Sequence, residues 1–216
     1  EGVFFKEYEK RAAIPVTDDI VKGNIEELMH DYQINLPHSE HIANLAKQMF
    51  SQLKTLYGWK ESTDDWKLLD LSARVYFLGK YVDSDVSSQH TFYLLANHPI
   101  EGLTHKDRLK LALIASFKNK NLFKQYMNPF IKYFANEELH RLRILGSLVK
   151  LAASLDASKR GIIKKVKMRQ DKTGRITMEF YGDGNLFVEQ YQAEKHVRQL
   201  EKALKNEIVL TFTPPA

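Results

Sequence analysis

The sequence predicts an α+β fold, a mainly α-helical block followed by a small β-β-β-α-β block. Three observations carry that expectation. Apolar residues recur at helical spacing up to about residue 157. The period shortens towards two after Gly161. A Lys-Thr-Gly turn then separates two alternating runs, as in a β-hairpin.

The elements follow in chain order. EGVFFKEYE, residues 1–9, reads as a strand. No partner strand precedes it, so residues 1–16 read as the end of a truncated N-terminal domain, a strand and its linker. Thr17-Asp18-Asp19 offers an N-cap with acids in the first turn, where the helix dipole favours them. That helix runs to about Tyr32, and Leu36-Pro37 breaks it. Ile42, Leu45, Ala46, Met49, Phe50 and Leu53 mark the next helix, which ends near Tyr57-Gly58. Asp64 or Asp65 opens a helix through Trp66, Leu69, Ala73 and Leu78 that stops at Gly79. It is apolar on most sides, which places it centrally. Ser87 or Ser88 starts a helix that ends at Asn97-His98-Pro99. Thr104 caps the helix of LKLALIASF, NLFKQYMNPF is a short amphipathic piece, and a long helix spans Glu137 to Asp156.

These helices make up a block over residues 17–157, and a small C-terminal domain takes 158–216. In that domain IIKKVKMRQ and RITMEFY flank the DKTG turn. GDGN leads into LFVEQY as a third strand, a helix covers about Gln192 to Lys205, and IVLTF is the last strand.

Composition narrows the class. The chain has 216 residues, 44% of them hydrophobic and 27% charged, so it can bury a sizeable core. It has no cysteine, which excludes disulfides and thiolate metal sites and fits a reducing compartment. Its longest apolar runs are too short to span a bilayer and no signal peptide is visible, so the expected location is cytoplasmic and no membrane partner is expected. The net charge of +5 is unevenly spread. Residues 105–176 hold 18 Lys and Arg against five Asp and Glu. One contiguous third of the chain therefore carries all the positive excess, which points to an anionic partner or to a solvated face.

Widely spaced histidines on a helical block resemble the HD superfamily, whose domains gather histidines and aspartates around divalent metals. Longer motifs are more specific. HIANLAKQMFSQLKTLYGW, LLDLSARVYFLGKYV, SQHTFYLLANHPIEGLTHKDRLKLALIASFKNK and LGSLVKLAASLD occur in order. Together with EGVFFKE, they resemble the C-terminal half of the exopolyphosphatase/guanosine pentaphosphate phosphatase (Ppx/GppA) family. The resemblance implies an HD-like helical domain preceded by the end of an ATPase-like catalytic domain.

Carried over position by position, the resemblance matches His41 and His90 to retained ligand histidines. Tyr76 and Phe77 stand where a His-Asp or His-Glu pair belongs, Lys118 where a further histidine belongs, and Ala153 where an aspartate belongs. Tyrosine, phenylalanine and alanine supply no competent ligand at neutral pH, and an ammonium repels a cation. The expectation is a degenerate pocket with no metal and no catalytic residue, in which Tyr76 and Phe77 fill the vacated space. His41 and His90 then stay as hydrogen-bonded core residues or, with Lys118, bind phosphate. His30, His38, His98, His105, His140 and His196 read as surface or capping residues.

Candidate anion-binding residues are Lys118, Lys120, Lys124, Arg141, Lys150, Lys165, Lys167 and Arg169. Strand alternation puts Lys165, Lys167 and Arg169 on one face and Lys164 on the other. The resemblance implies polyphosphate or guanosine pentaphosphate as the anion, a homodimer, and Mg²⁺ bound by the N-terminal half rather than here. Nucleic acid ranks below these, because the chain has no recognition helix or aromatic RNA-binding motif. A purely structural dimerisation module and a remodelled metallohydrolase are the competing roles.

Overall fold

The computed structural model describes residues 16–59 and 63–213. The expected strand at residues 1–9 lies outside them. Seven α-helices come first. They are α1 (Val16–Asp31), α2 (Leu36–Tyr57), α3 (Thr63–Arg74), α4 (Ser87–Asn97), α5 (His105–Ala115), α6 (Lys120–Met127) and α7 (Asn136–Ser154). Short 3-10 helices at Leu78–Tyr81 and Asn128–Tyr133 join α3 to α4 and α6 to α7. The chain then runs β1 (Ile163–Gln170), β2 (Ile176–Gly182), α8 (Phe187–His196), α9 (Arg198–Leu204) and β3 (Ile208–Thr213). The α+β class stands, with helices first and a small sheet after them.

Local chemistry sets the helix ends. Pro37 sits in the first turn of α2, where a missing N–H costs nothing. Asn35 caps that helix, accepting from the His38 N–H at 3.0 Å, and Gly58 ends it in the left-handed region. Thr104 caps α5 by accepting from the Asp107 N–H, and Asn119 caps α6. Helix α3 stops at Arg74, earlier than its apolar pattern suggests. Tyr76 and Phe77 follow in a turn, and Gly79 lies in the 3-10 helix. Gly79 is a packing necessity. A Cβ there would meet the Ser87 carbonyl and lie 2.6 Å from the Thr91 nitrogen, while the Gly79 N–H donates to the Thr91 hydroxyl. The start of α4 is thus pressed onto the chain just after Tyr76 and Phe77.

The sheet is mixed, in the order β1-β2-β3. β1 and β2 are antiparallel across the expected hairpin. Its Asp171 carboxylate accepts from the Thr173 and Arg175 N–H groups, and Gly174 takes a positive φ. β3 lies parallel to β2, reached by way of α8 and α9. LFVEQY is helical rather than a third strand, so the small block reads β-β-α-α-β. The Asn185 carboxamide accepts from the Phe187 N–H and opens the helix, and the buried residues Glu189, Ala193 and Val197 recur every four positions.

The two blocks share one apolar core. Phe50, Leu69 and Leu145 of the helices belong to the same buried cluster as Ile163, Met178, Phe180 and Leu200. Among the described residues no helix is long and apolar enough to cross a membrane.

Candidate functional site

Tyr76 and Phe77 pack against the apolar core. They form part of the wall of a two-lobed recess. One lobe, about 220 Å³, is lined by His38, Lys80, Lys150, Lys159, Gln192 and His196 among others. The second, about 270 Å³, is lined by Lys80, Lys118, Lys150, Ser87, Ser88 and Ser116 among others. Tyr76, Phe77, Lys80, Lys150 and His196 belong to both lobes. No aspartate or glutamate lines either one.

Each basic side chain reaches the recess from a different position in the chain. Lys80 comes from the 3-10 helix that Gly79 pins to α4, and its ammonium lies 4.1 Å from the centre of the Phe77 ring. Lys118 sits between α5 and α6 and is exposed. Lys150 projects from α7 and donates to the Lys118 carbonyl. Lys159 follows α7, and His196 ends α8.

These charges repel one another. Burial and the neighbouring Lys118 and Lys195 push the Lys150 ammonium down to about 8. Burial, Lys150 and Lys195 push His196 down to about 4, so it is neutral at pH 7. Lys80 is lowered by burial and by Lys159. Burial and neighbouring ammonium groups thus lower the proton affinity of Lys80, Lys150 and His196, and the wall is electropositive.

Four of the six expected pocket residues meet here: Tyr76, Phe77, Lys118 and Ala153. His90 lines neither lobe. His41 lines a separate, polar cleft of about 650 Å³ with Asn44, Lys47, Gln48, Trp66 and Lys164. His38, expected at the surface, takes the inner position. It is 5% exposed, stacks on Phe77 with ring centres 4.9 Å apart, and its Nδ1 lies 2.6 Å from the buried Asp156 carboxylate. The other Asp156 oxygen accepts from the Gly161 N–H at 2.7 Å, so the pair ties α2 and α7 to the start of the sheet. A buried aspartate needs such partners. The aspartate closing the LAASLD motif was the available signal for it, and its 118-residue separation from His38 hid the pairing.

The residues here do not fit a metal. Among the described residues no group of three His, Asp or Glu side chains is placed to hold one. The lining supplies ammonium groups, hydroxyls, aromatic rings and the imidazoles of His38 and His196 but no carboxylate, and ammonium groups oppose a cation.

The remaining candidate cations lie elsewhere. Arg141 pairs with Asp65 at 2.6 Å and lies over the Trp59 ring. Lys120 and Lys124 are exposed on α6. Lys165, Lys167 and Arg169 share the outer face of β1, with Ile163, Val166 and Met168 turned inward. That face is partly neutralised, because Arg169 pairs with Glu179 and Lys167 lies over the Tyr181 ring. A register shift between Ile163 and Lys165 leaves Lys164 exposed beside the His41 cleft.

The chain is 24% identical over 98 residues to a guanosine-5'-triphosphate,3'-diphosphate pyrophosphatase of Vibrio vulnificus (strain YJ016). The match covers 45% of this chain and 20% of that relative. The family model "Ppx/GppA phosphatase, domain III" matches residues 20–205. That span takes in every helix around the recess and the first two strands, and with it the chain belongs to the Ppx/GppA phosphatase family.

Proposed function

We propose that this chain is a polyanion-binding accessory domain of a Ppx/GppA-type hydrolase. Hydrolysis, and any Mg²⁺ it requires, belongs to another part of the full-length protein. One observation carries the reading: Lys80, Lys118, Lys150, Lys159 and His196 converge on a recess with no lining carboxylate. The partner classes that fit are polyphosphate and guanosine pentaphosphate. Family membership supports both, and the name of the Vibrio vulnificus relative favours the nucleotide.

The domain would act by concentrating and orienting the anion. Several Lys–phosphate contacts give binding that falls as salt rises, because each displaces a counterion. Long-chain polyphosphate titrated at low and moderate salt tests this. We expect salt-sensitive binding that is lost in Lys80→Gln/Lys150→Gln and only weakened in Lys165→Glu/Lys167→Glu. No binding at low salt would overturn the reading, and so would binding indifferent to salt.

A further inference from the structure

The serine-lined lobe is built more specifically than a general cationic surface. Helix α4 starts there with Ser87 and Ser88. Val86 stands at its N-cap position and supplies no side-chain acceptor. The Gln89 and His90 N–H groups both donate to the Val86 carbonyl, while those of Ser87 and Ser88 have no acceptor among the described residues. Uncapped N–H groups at the positive end of a helix favour an anion.

A second observation stands apart from the helix end. Ser116 lines the same lobe, is 2% exposed, and its Oγ has no hydrogen-bond partner. A buried hydroxyl without a partner carries a desolvation cost that a ligand could remove. Ser88 is otherwise engaged, since its hydroxyl donates to the Ser116 carbonyl at 2.5 Å. Lys80, Lys118 and Lys150 add positive charge around these donors.

The donor set selects the ligand. Amides, a free hydroxyl and ammonium groups call for many acceptor oxygens on one compact, charged centre. An internal unit of a polyphosphate chain offers two free oxygens and one charge. A terminal phosphate offers three oxygens and up to two charges. A carboxylate offers only two oxygens in a plane.

We propose that this lobe is a socket for a terminal phosphate group, the end of a polyphosphate or of a nucleotide's phosphate chain. The proposal rests on the polyanion reading and narrows it from chain binding to end recognition.

The test uses the whole chain and three ligands: tripolyphosphate, its P1,P3-dimethyl ester and guanosine 5′-diphosphate. Ser116→Ala carries no change in charge and removes only an unpartnered hydroxyl. Lys118→Gln alters an exposed side chain. We expect each to weaken tripolyphosphate binding about tenfold, the loss of roughly one charge-assisted hydrogen bond. Ser116→Ala should leave ester binding unchanged and should not lower Tm. Whichever of tripolyphosphate and the nucleotide binds more tightly identifies the source of the phosphate. Equal effects of Ser116→Ala on capped and uncapped ligand, or no effect on either, would overturn the socket while salt-sensitive polyphosphate binding remained. Absence of binding by any anion at low salt would overturn the polyanion reading along with it.

Discussion

At the scale of single residues, His196 shows how the recess trades stability for charge. The imidazole is half-buried between Lys150 and Lys195, and burial with those two ammoniums lowers its pKa to about 4. In the unfolded chain it titrates near the ordinary 6.5. Between these values the unfolded state binds the extra proton, so stability rises with pH through that window and falls on acidification. His196→Gln removes this dependence. Wild type should lose more stability than the variant between pH 7 and pH 5, by on the order of 1 kcal/mol after allowance for solvent screening. Urea denaturation at the two pH values measures the difference, and equal losses would show that His196 titrates normally.

The same residue marks what the sequence concealed. His38 and His196 looked like surface histidines because their neighbours on the helix are polar. Their burial comes from contacts far away in the chain, with Asp156 and Phe77 for His38 and with the lysine wall for His196. Tyr76, Phe77, Lys118 and Ala153 line one recess, to which the order of the motifs carries them. His41 lines another cleft, because the side of α2 that faces Phe77 is set by how the helices pack.

At the scale of elements, the edge of the sheet is closed by a helix rather than by a strand. The Gln48 Oε1 accepts from the Val166 N–H at 3.0 Å, and the Gln52 Oε1 accepts from the Met168 N–H at 2.7 Å. Gln52 also donates to the Val166 carbonyl at 2.8 Å. The spacing matches: four helical residues rise about 6 Å, and two strand residues rise about 6.6 Å. Two carboxamides one turn apart on α2 therefore serve alternate residues of β1, and an edge open to unwanted pairing is covered. Gln48→Ala/Gln52→Ala leaves two amides without partners and should cost about 1–3 kcal/mol for each one that stays dry. Hydrogen exchange at Val166 and Met168 checks this, with faster exchange at both amides expected and the β2–β3 pairing unaffected. Unchanged protection at both would mean that the glutamines are incidental. Helix ends and the hairpin were legible because Thr104, Gly58 and the DKTG turn act locally. LFVEQY was misread because a short apolar run suits either a strand or a helix, and tertiary burial of Ala193 and Val197 decided it.

At the scale of the whole molecule, folding sorts the basic third into two groups. Lys106 and Lys110 pair with Glu138, Arg141 with Asp65, Arg169 with Glu179 and Arg175 with Glu207. Lys118, Lys150 and Lys159 form no ion pair among the described residues, and the fold adds Lys80 and Lys195 from outside that third. The charge count alone could not distinguish paired from unpaired cations, which is why Lys165, Lys167 and Arg169 stood as candidates beside Lys118 and Lys150. An arrangement that gathers like charges costs stability until a bound anion offsets the repulsion. Lys150→Met keeps most of the apolar stem of the side chain and removes the repulsion with Lys118 and Lys195. Without ligand, the variant should be more stable than wild type by about 0.5–2 kcal/mol, a gain typical of relieving strain held for function. With tripolyphosphate the order should reverse, because the ligand raises the Tm of wild type and hardly moves that of the variant. Thermal melts with and without the anion give both results. A variant that is less stable in both conditions would mean that Lys150 is structural, held by its bond to the Lys118 carbonyl rather than by a need for charge.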